Sequence, residues 1–112
     1  MFEYIFSYGT LQKTCIQKQI LKRTLSGQPD ELHGYQVRQV DLGHGNIYPM
    51  VCPKDNHVVE GTIFEITAQE LTLIDRYETH AYERVSTVLC SGKQAWVYRC
   101  SAKYYYLFEE NV

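Results

Sequence analysis

Apolar and polar side chains alternate through residues 2–7, with Phe2, Tyr4 and Phe6 on one side and Glu3, Ile5 and Ser7 on the other. This period of two, rich in aromatics, predicts a strand, and Gly9 ends it. Residues 12–25 contain good helix formers, yet at about 100° per residue Cys15, Leu21 and Leu25 fall on one side and Ile16 and Ile20 near the opposite one. The pattern predicts a helix that is either buried on two sides or broken. Ser26-Gly27-Gln28-Pro29-Asp30 reads as a loop by composition. Alternation returns over residues 34–40, where Tyr35 and Val37 oppose Gln36 and Arg38, and predicts a second strand.

Gly43, Gly45 and Asn46 mark a turn. In the following residues 47–53, Pro49 and Pro53 forbid a central strand but permit an edge strand or an irregular extended segment. Residues 58–66 form the strongest strand pattern of the chain. Thr67-Ala68-Gln69-Glu70 is a capping box, in which the threonine hydroxyl accepts from the N–H of residue 70 and the glutamate returns to the N–H of residue 67. The helix that follows places Leu71, Ile74 and Glu78, spaced by three and four, in one line on one face. Residues 82–90 and 94–100 read as a hairpin joined at Ser91-Gly92-Lys93. Tyr104-Tyr105-Tyr106-Leu107-Phe108 is expected to pack in the core or at its rim.

At 112 residues the expectation is a single domain over 1–112, with room for one core. Apolar residues at 45% and charged residues at 21% match ordinary globular chains, which argues against disorder. Eleven basic against thirteen acidic residues leave a net charge of −2, so no basic field is available to follow a phosphate backbone, and nucleic acid is not an expected partner. The opening Met1-Phe2-Glu3-Tyr4-Ile5-Phe6 lacks the basic residues and long apolar core of a signal peptide. No run approaches the roughly 18 apolar residues of a membrane span. Cys15, Cys52, Cys90 and Cys100 include no Cys-x-x-Cys pair and are read as free thiols in a reducing cytoplasm. His33, His44, His57 and His80 sit singly in loop-like surroundings, and no metal site is expected from these spacings.

Two segments far apart in the chain carry the candidate chemistry. Tyr8-Gly9-Thr10-Leu11 offers a glycine turn after a strand, where backbone can approach a ligand closely and free N–H groups can meet a carboxylate or phosphate. The same tetrapeptide can also be a plain structural turn. Glu78 offers a carboxylate on the apolar side of a helix, where desolvation raises its pKa and suits it to proton transfer near neutral pH. Its competing reading is a solvated acid or a partner of Arg84, because a carboxylate at a helix C-terminus opposes the macrodipole.

Taken together, the Tyr8-Gly9-Thr10-Leu11 loop, Leu32-His33-Gly34-Tyr35, Tyr48-Pro49 with Pro53, Val59-Glu60-Gly61, the stretch from Leu71 to Asp75, and Glu78 with Tyr82 and Arg84 resemble the gamma-glutamylcyclotransferase-like family, specifically its gamma-glutamylamine cyclotransferase branch. The resemblance covers nearly the whole chain. It implies an α+β fold, a small twisted, partly closed mixed sheet or barrel of about six strands with two helices, and a pocket at one end. It also implies release of 5-oxoproline from a gamma-glutamyl amine or small gamma-glutamyl peptide by intramolecular attack of the α-amino group. Glu78 would then be the general acid/base, and Tyr8, Gly9, Thr10, Leu11 and Tyr82 the substrate-binding residues, with no cofactor or metal. The chain departs from many relatives after Leu11, where Gln12, Lys13 and Thr14 replace a basic residue and a glycine, and this bears on the distal half of the substrate.

Two other classes compete with this enzyme. One is a non-catalytic small-molecule-binding module with the same pocket, since fold does not dictate reaction. The other is a tyrosine-rich platform for a protein or single-stranded nucleic acid, which stacking permits and the acidic balance disfavours.

Overall fold

The computed structural model describes residues 2–41, 43, 45, 47–78 and 81–101. Its elements are β1 (Phe2–Ser7), a 3-10 turn (Thr10–Gln12), α1 (Thr14–Leu21), β2 (Gly27–Asp41), β3 (Ile47–Thr67), α2 (Ala68–Glu78), β4 (Tyr82–Val88) and β5 (Gln94–Cys100). The strands form one mixed sheet in the order β2-β3-β1-β5-β4, in which only the β1–β5 neighbours run parallel. The aromatic cluster at Tyr104 to Phe108 lies outside the described residues.

The sheet is central and buried at β1, whose last three residues Ile5, Phe6 and Ser7 are all buried. Successive side chains of a strand point to opposite faces, so Ile5 and Phe6 serve two cores. Ile5, Phe64, Ile66 and Tyr98 pack with Leu11, Leu21, Leu71 and Ile74, joining the sheet to both helical segments. Phe6, Leu32, Val51, Val59, Ile63 and Val97 fill the concave face. A third cluster, Val40, Met50, Ala81 and Cys100, closes the β2–β3 hairpin over the end of β5. At the far end the β4–β5 turn meets the other edge, where the Cys90 amide donates to the Glu31 carbonyl at 2.9 Å. The result is a curled half-barrel with two helices.

Five strands are described where the pattern predicts about six, because residues 47–53 and 58–66 belong to one strand. The two segments remain distinguishable in the ladder. His33 pairs with Val58 and Tyr35 with Pro53, so residues 54–57 protrude opposite Gly34. Gly34 at φ +83° and Asn56 at φ +63° supply the left-handed turns this bulge needs. Residues 47–53 pair with β2 but not with β1, whose partners within β3 are residues 62–67. Pro49 and Pro53 therefore occupy a locally open edge, where a missing N–H costs no ladder bond.

One other expectation is corrected, and one alternative left open is decided. The loop assigned to residues 26–30 is strand from Gly27 onward, paired with Phe64, and a Cβ at Gly27 would stand 2.4 Å from Thr62 Cγ2 and 2.5 Å from the Phe64 ring. The absence of a side chain there is a packing requirement rather than a turn signal. The helix expected within residues 12–25 is broken, and α1 ends where Lys22 turns left-handed at φ +63°. Gln17, fully buried, fixes this shape: its Nε2 donates to the Leu11 carbonyl and its Oε1 accepts from the Leu25 amide, both at 2.8 Å. The capping box of α2 forms as its sequence dictates, with Glu70 N–H to Thr67 Oγ1 at 3.1 Å and Thr67 N–H to Glu70 Oε1 at 2.9 Å. No described helix is long and apolar enough to cross a membrane.

Candidate active site

A cavity of about 380 Å³ opens where β1, the 3-10 turn, the C-terminus of α2 and the start of β3 converge. Tyr8, Gly9, Thr10, Leu11, Glu78 and Tyr82 all line it, so residues separated by some seventy positions in sequence share one surface. The register of the sheet brings this about. β1 ends at Ser7 beside Thr62, and the chain then leaves the sheet into the 3-10 turn, while α2 runs back from Thr67 to deliver Glu78. Leu11 anchors the turn by its buried side chain.

Gly9 has φ −126° and ψ −144°, and a Cβ built on it would meet only Pro49 Cγ at 3.9 Å, an ordinary contact. Crowding does not call for glycine at this position. The space its missing side chain leaves belongs to the cavity, which Pro49 also lines. Gly61 in the Val59-Glu60-Gly61 motif is the opposite case: a Cβ there would lie 2.4 Å from the Ser7 carbonyl and 2.6 Å from the Phe6 ring. The amides of Thr10 and Leu11 have no acceptor among the described residues, whereas Gln12 N–H is bonded to the Gly9 carbonyl at 3.2 Å. They are the donors available to an anionic group of a ligand.

Glu78 makes no hydrogen bond or ion pair among the described residues. Burial pushes its carboxyl up to about 7, since a desolvated carboxylate is disfavoured in its charged form. Around it stand phenols whose hydroxyls are committed elsewhere. Tyr8 donates to the Tyr98 carbonyl at 2.6 Å, Tyr82 to the Pro49 carbonyl at 2.8 Å, and Tyr98 to Asp75 Oδ1 at 2.5 Å. Thr10 Oγ1 and the Tyr77 hydroxyl lie 2.6 Å apart. Burial, reinforced by neighbouring Tyr82 and Glu78, raises the Tyr8 phenol well above its ordinary pKa. Burial likewise raises Tyr82, with Glu78 adding to the effect, and raises Tyr98, where the bond to Asp75 adds to it. All three stay neutral near neutral pH, the range in which burial places the Glu78 carboxyl.

Arg84 does not pair with Glu78. Its Nε sits 2.9 Å from Asp75 Oδ1 and its guanidinium stacks over Trp96, 4.3 Å from the ring centroid. The pairing alternative for Glu78 is thus replaced by a support network in which Arg84 holds Asp75 and Asp75 holds the Tyr98 hydroxyl. Tyr48, Pro49, Tyr77 and Tyr98 also line the cavity and were not singled out as site residues by the sequence. Tyr98 had a signal available: it shares a strand face with Trp96, and β5 is apolar on both faces.

The family described as "Gamma-glutamyl cyclotransferase, AIG2-like" matches residues 5–111. The chain belongs to this family. Among curated relatives, AIG2-like protein D of Arabidopsis thaliana is 30% identical over 84 residues, which cover 71% of this chain and 51% of that protein. The chain spans about half the length of the curated relatives it matches. Another Arabidopsis thaliana protein, solved in solution, superposes with a TM-score of 0.78 at 25% identity, over 91% of this chain and 70% of that one. A structure described as a gamma-glutamyl cyclotransferase shares the fold, with a TM-score of 0.68 at 13% identity over 90% of this chain and 68% of its own.

Proposed function

We propose that this chain is a cyclotransferase that releases 5-oxoproline from gamma-glutamyl amines, with Glu78 as the proton shuttle. The observation that carries the reading is an unpartnered carboxylate, held near pKa 7 by burial, in the same cavity as the free amides of Thr10 and Leu11. Glu78 takes a proton from the substrate's α-ammonium. The freed amine attacks the γ-carbonyl carbon, the ring C–N bond forms, and the γ-amide C–N bond breaks as Glu78 returns the proton to the departing nitrogen; the second proton, which the ring nitrogen sheds in becoming the lactam N–H, follows the same route, so the amine leaves as an ammonium ion. No water is consumed. Nucleophile and electrophile belong to one molecule, so holding the glutamyl arm folded can supply several kcal/mol, up to about 7–11 in favourable intramolecular reactions. The Thr10 and Leu11 amides are suited to hold the α-carboxylate or to stabilise developing negative charge.

The described lining contains no Lys, Arg or His, and its exposed members Ile47, Tyr48 and Tyr77 carry no formal charge. This supports an amine leaving group over a peptide whose free carboxylate would have to sit unpaired against those side chains.

The test is to incubate wild type and Glu78→Gln with a panel of gamma-glutamyl amines and short gamma-glutamyl peptides and to measure 5-oxoproline. Wild type is expected to turn over amines preferentially, and Glu78→Gln to lose about 10²–10⁴ in rate. Equal turnover by both proteins removes Glu78 from the mechanism. No turnover by wild type on any member of the panel supports a non-catalytic binding module.

A further inference from the structure

Away from the cavity, Glu31 and His33 on β2 and Cys90 in the β4–β5 turn bring a carboxylate oxygen, an imidazole nitrogen and a thiol sulfur within 4.8 Å of one another. Spacing along the chain hides this group, because 57 positions separate His33 from Cys90. The sheet assembles it. Glu31 and His33 are two apart on a strand, so they share a face. The turn carrying Cys90 is fastened against them by the Cys90 amide on the Glu31 carbonyl at 2.9 Å, and by Ser91, whose hydroxyl and amide reach the Asp30 carboxylate at 2.6 Å and 3.2 Å.

We propose that Glu31, His33 and Cys90 form a zinc site that ties β2 to the β4–β5 turn. Thiolate, imidazole and carboxylate are all zinc donors, and three protein ligands leave a fourth tetrahedral position for water. Bonds of about 2.0–2.3 Å in a tetrahedron put donors roughly 3.5 Å apart, so closure from 4.8 Å asks only for rotation of three exposed side chains. The softness of the thiolate together with imidazole favours zinc over calcium or magnesium, which take oxygen ligands. Local charge favours a cation as well. Glu60 stands directly opposite Glu31 in the β2–β3 register, a like-charge pair that a bound cation relieves.

The experiment is a titration of the full chain, kept reduced, with Co²⁺ and then Zn²⁺, reading thiolate-to-cobalt charge-transfer absorption and the zinc-dependent melting temperature. Saturable binding of one ion per chain is expected, with a charge-transfer band that zinc displaces and a melting temperature that zinc raises. Cys90→Ser should abolish the band and His33→Ala should weaken binding by about tenfold or more, while Cys15→Ser, which removes the other exposed cysteine, should change neither. All three variants alter exposed side chains and should melt like wild type without metal. Absence of the band at stoichiometric cobalt overturns the proposal, as does a band that survives in Cys90→Ser or vanishes in Cys15→Ser.

Discussion

Arg84 sits 2.9 Å from Asp75 and leaves Glu78, one helical turn further on, without a cation among the described residues. These two of the three carboxylates of α2 consequently behave differently, one neutralised by an ion pair and a tyrosine, the other desolvated and without a described partner. Arg84→Gln should cost about 1 kcal/mol of stability, the sum expected from a half-exposed ion pair and a cation–π contact. It should leave the pH midpoint of turnover in place. A midpoint that moves upward by a full unit in this variant would mean that Arg84 acts electrostatically on Glu78 after all.

Glu78 also links pH to both rate and stability. Its ionised form is the base, so kcat/KM should rise with pH through about 7. The stability effect has the opposite slope. The folded protein holds this proton more tightly than the unfolded chain, whose carboxyl titrates near 4.5, so stability should fall as pH rises from about 4.5 through about 7. Glu78→Gln removes that dependence. It should melt higher than wild type above pH 7, by an amount on the order of 2 kcal/mol, and equally with it near pH 4. A wild-type denaturant midpoint that stays level across this window, while Glu78→Gln runs parallel to it, contradicts the assignment.

The two glycines nearest the cavity should respond in opposite ways. Gly9→Val should fold with a stability change under about 1 kcal/mol, yet lose ligand affinity about tenfold or more, because its side chain occupies the space beside Pro49. Gly61→Ala should destabilise by on the order of 3 kcal/mol, since the Ser7 carbonyl and Phe6 ring must move to admit a methyl group. Unfolding of Gly9→Val under conditions where wild type is stable would reduce the loop to a matter of backbone shape.

Gln17→Leu keeps the volume but strips the Leu11 carbonyl and the Leu25 amide of their partner. The cost should be about 1–3 kcal/mol for each group left buried and unsatisfied. Because Leu11 belongs to the turn that faces the cavity, the variant should also bind ligand more weakly in proportion to its loosened loop. Faster hydrogen exchange at residues 9–12, compared with the amides of β1, is the readout.

Local rules carried much of the architecture. The capping box at Thr67 and Glu70, the alternation of β1, and the placement of Glu78 in line with Leu71 and Ile74 depend on residues within one or two turns, and sequence shows them directly. What sequence conceals here is determined by distant partners. Gly27 and Pro29 resemble a loop until β3 is known to lie beside them, with the Phe64 ring over Gly27 and an outer edge where a proline is tolerated. Gln17 gives no sign in a helical pattern that it is buried to bond residues on both sides of α1. Arg84 and Asp75 find each other through a strand and a helix nine positions apart, and Tyr98 joins them from its place directly opposite Arg84 in the β4–β5 ladder, once α2 packs over that hairpin.

The open edge at residues 47–53 serves the whole molecule in a further respect. Ile47 and Tyr48, at 60% and 41% exposed, sit on a stretch of β3 whose outer side none of the described strands covers, next to the cavity mouth. Such an edge ordinarily invites a strand from a neighbouring molecule, which would seal the entrance and seed aggregation. Pro49 and Pro53 have no amide N–H to offer an incoming chain, so the two prolines also make this described edge a poor template for pairing with another polypeptide.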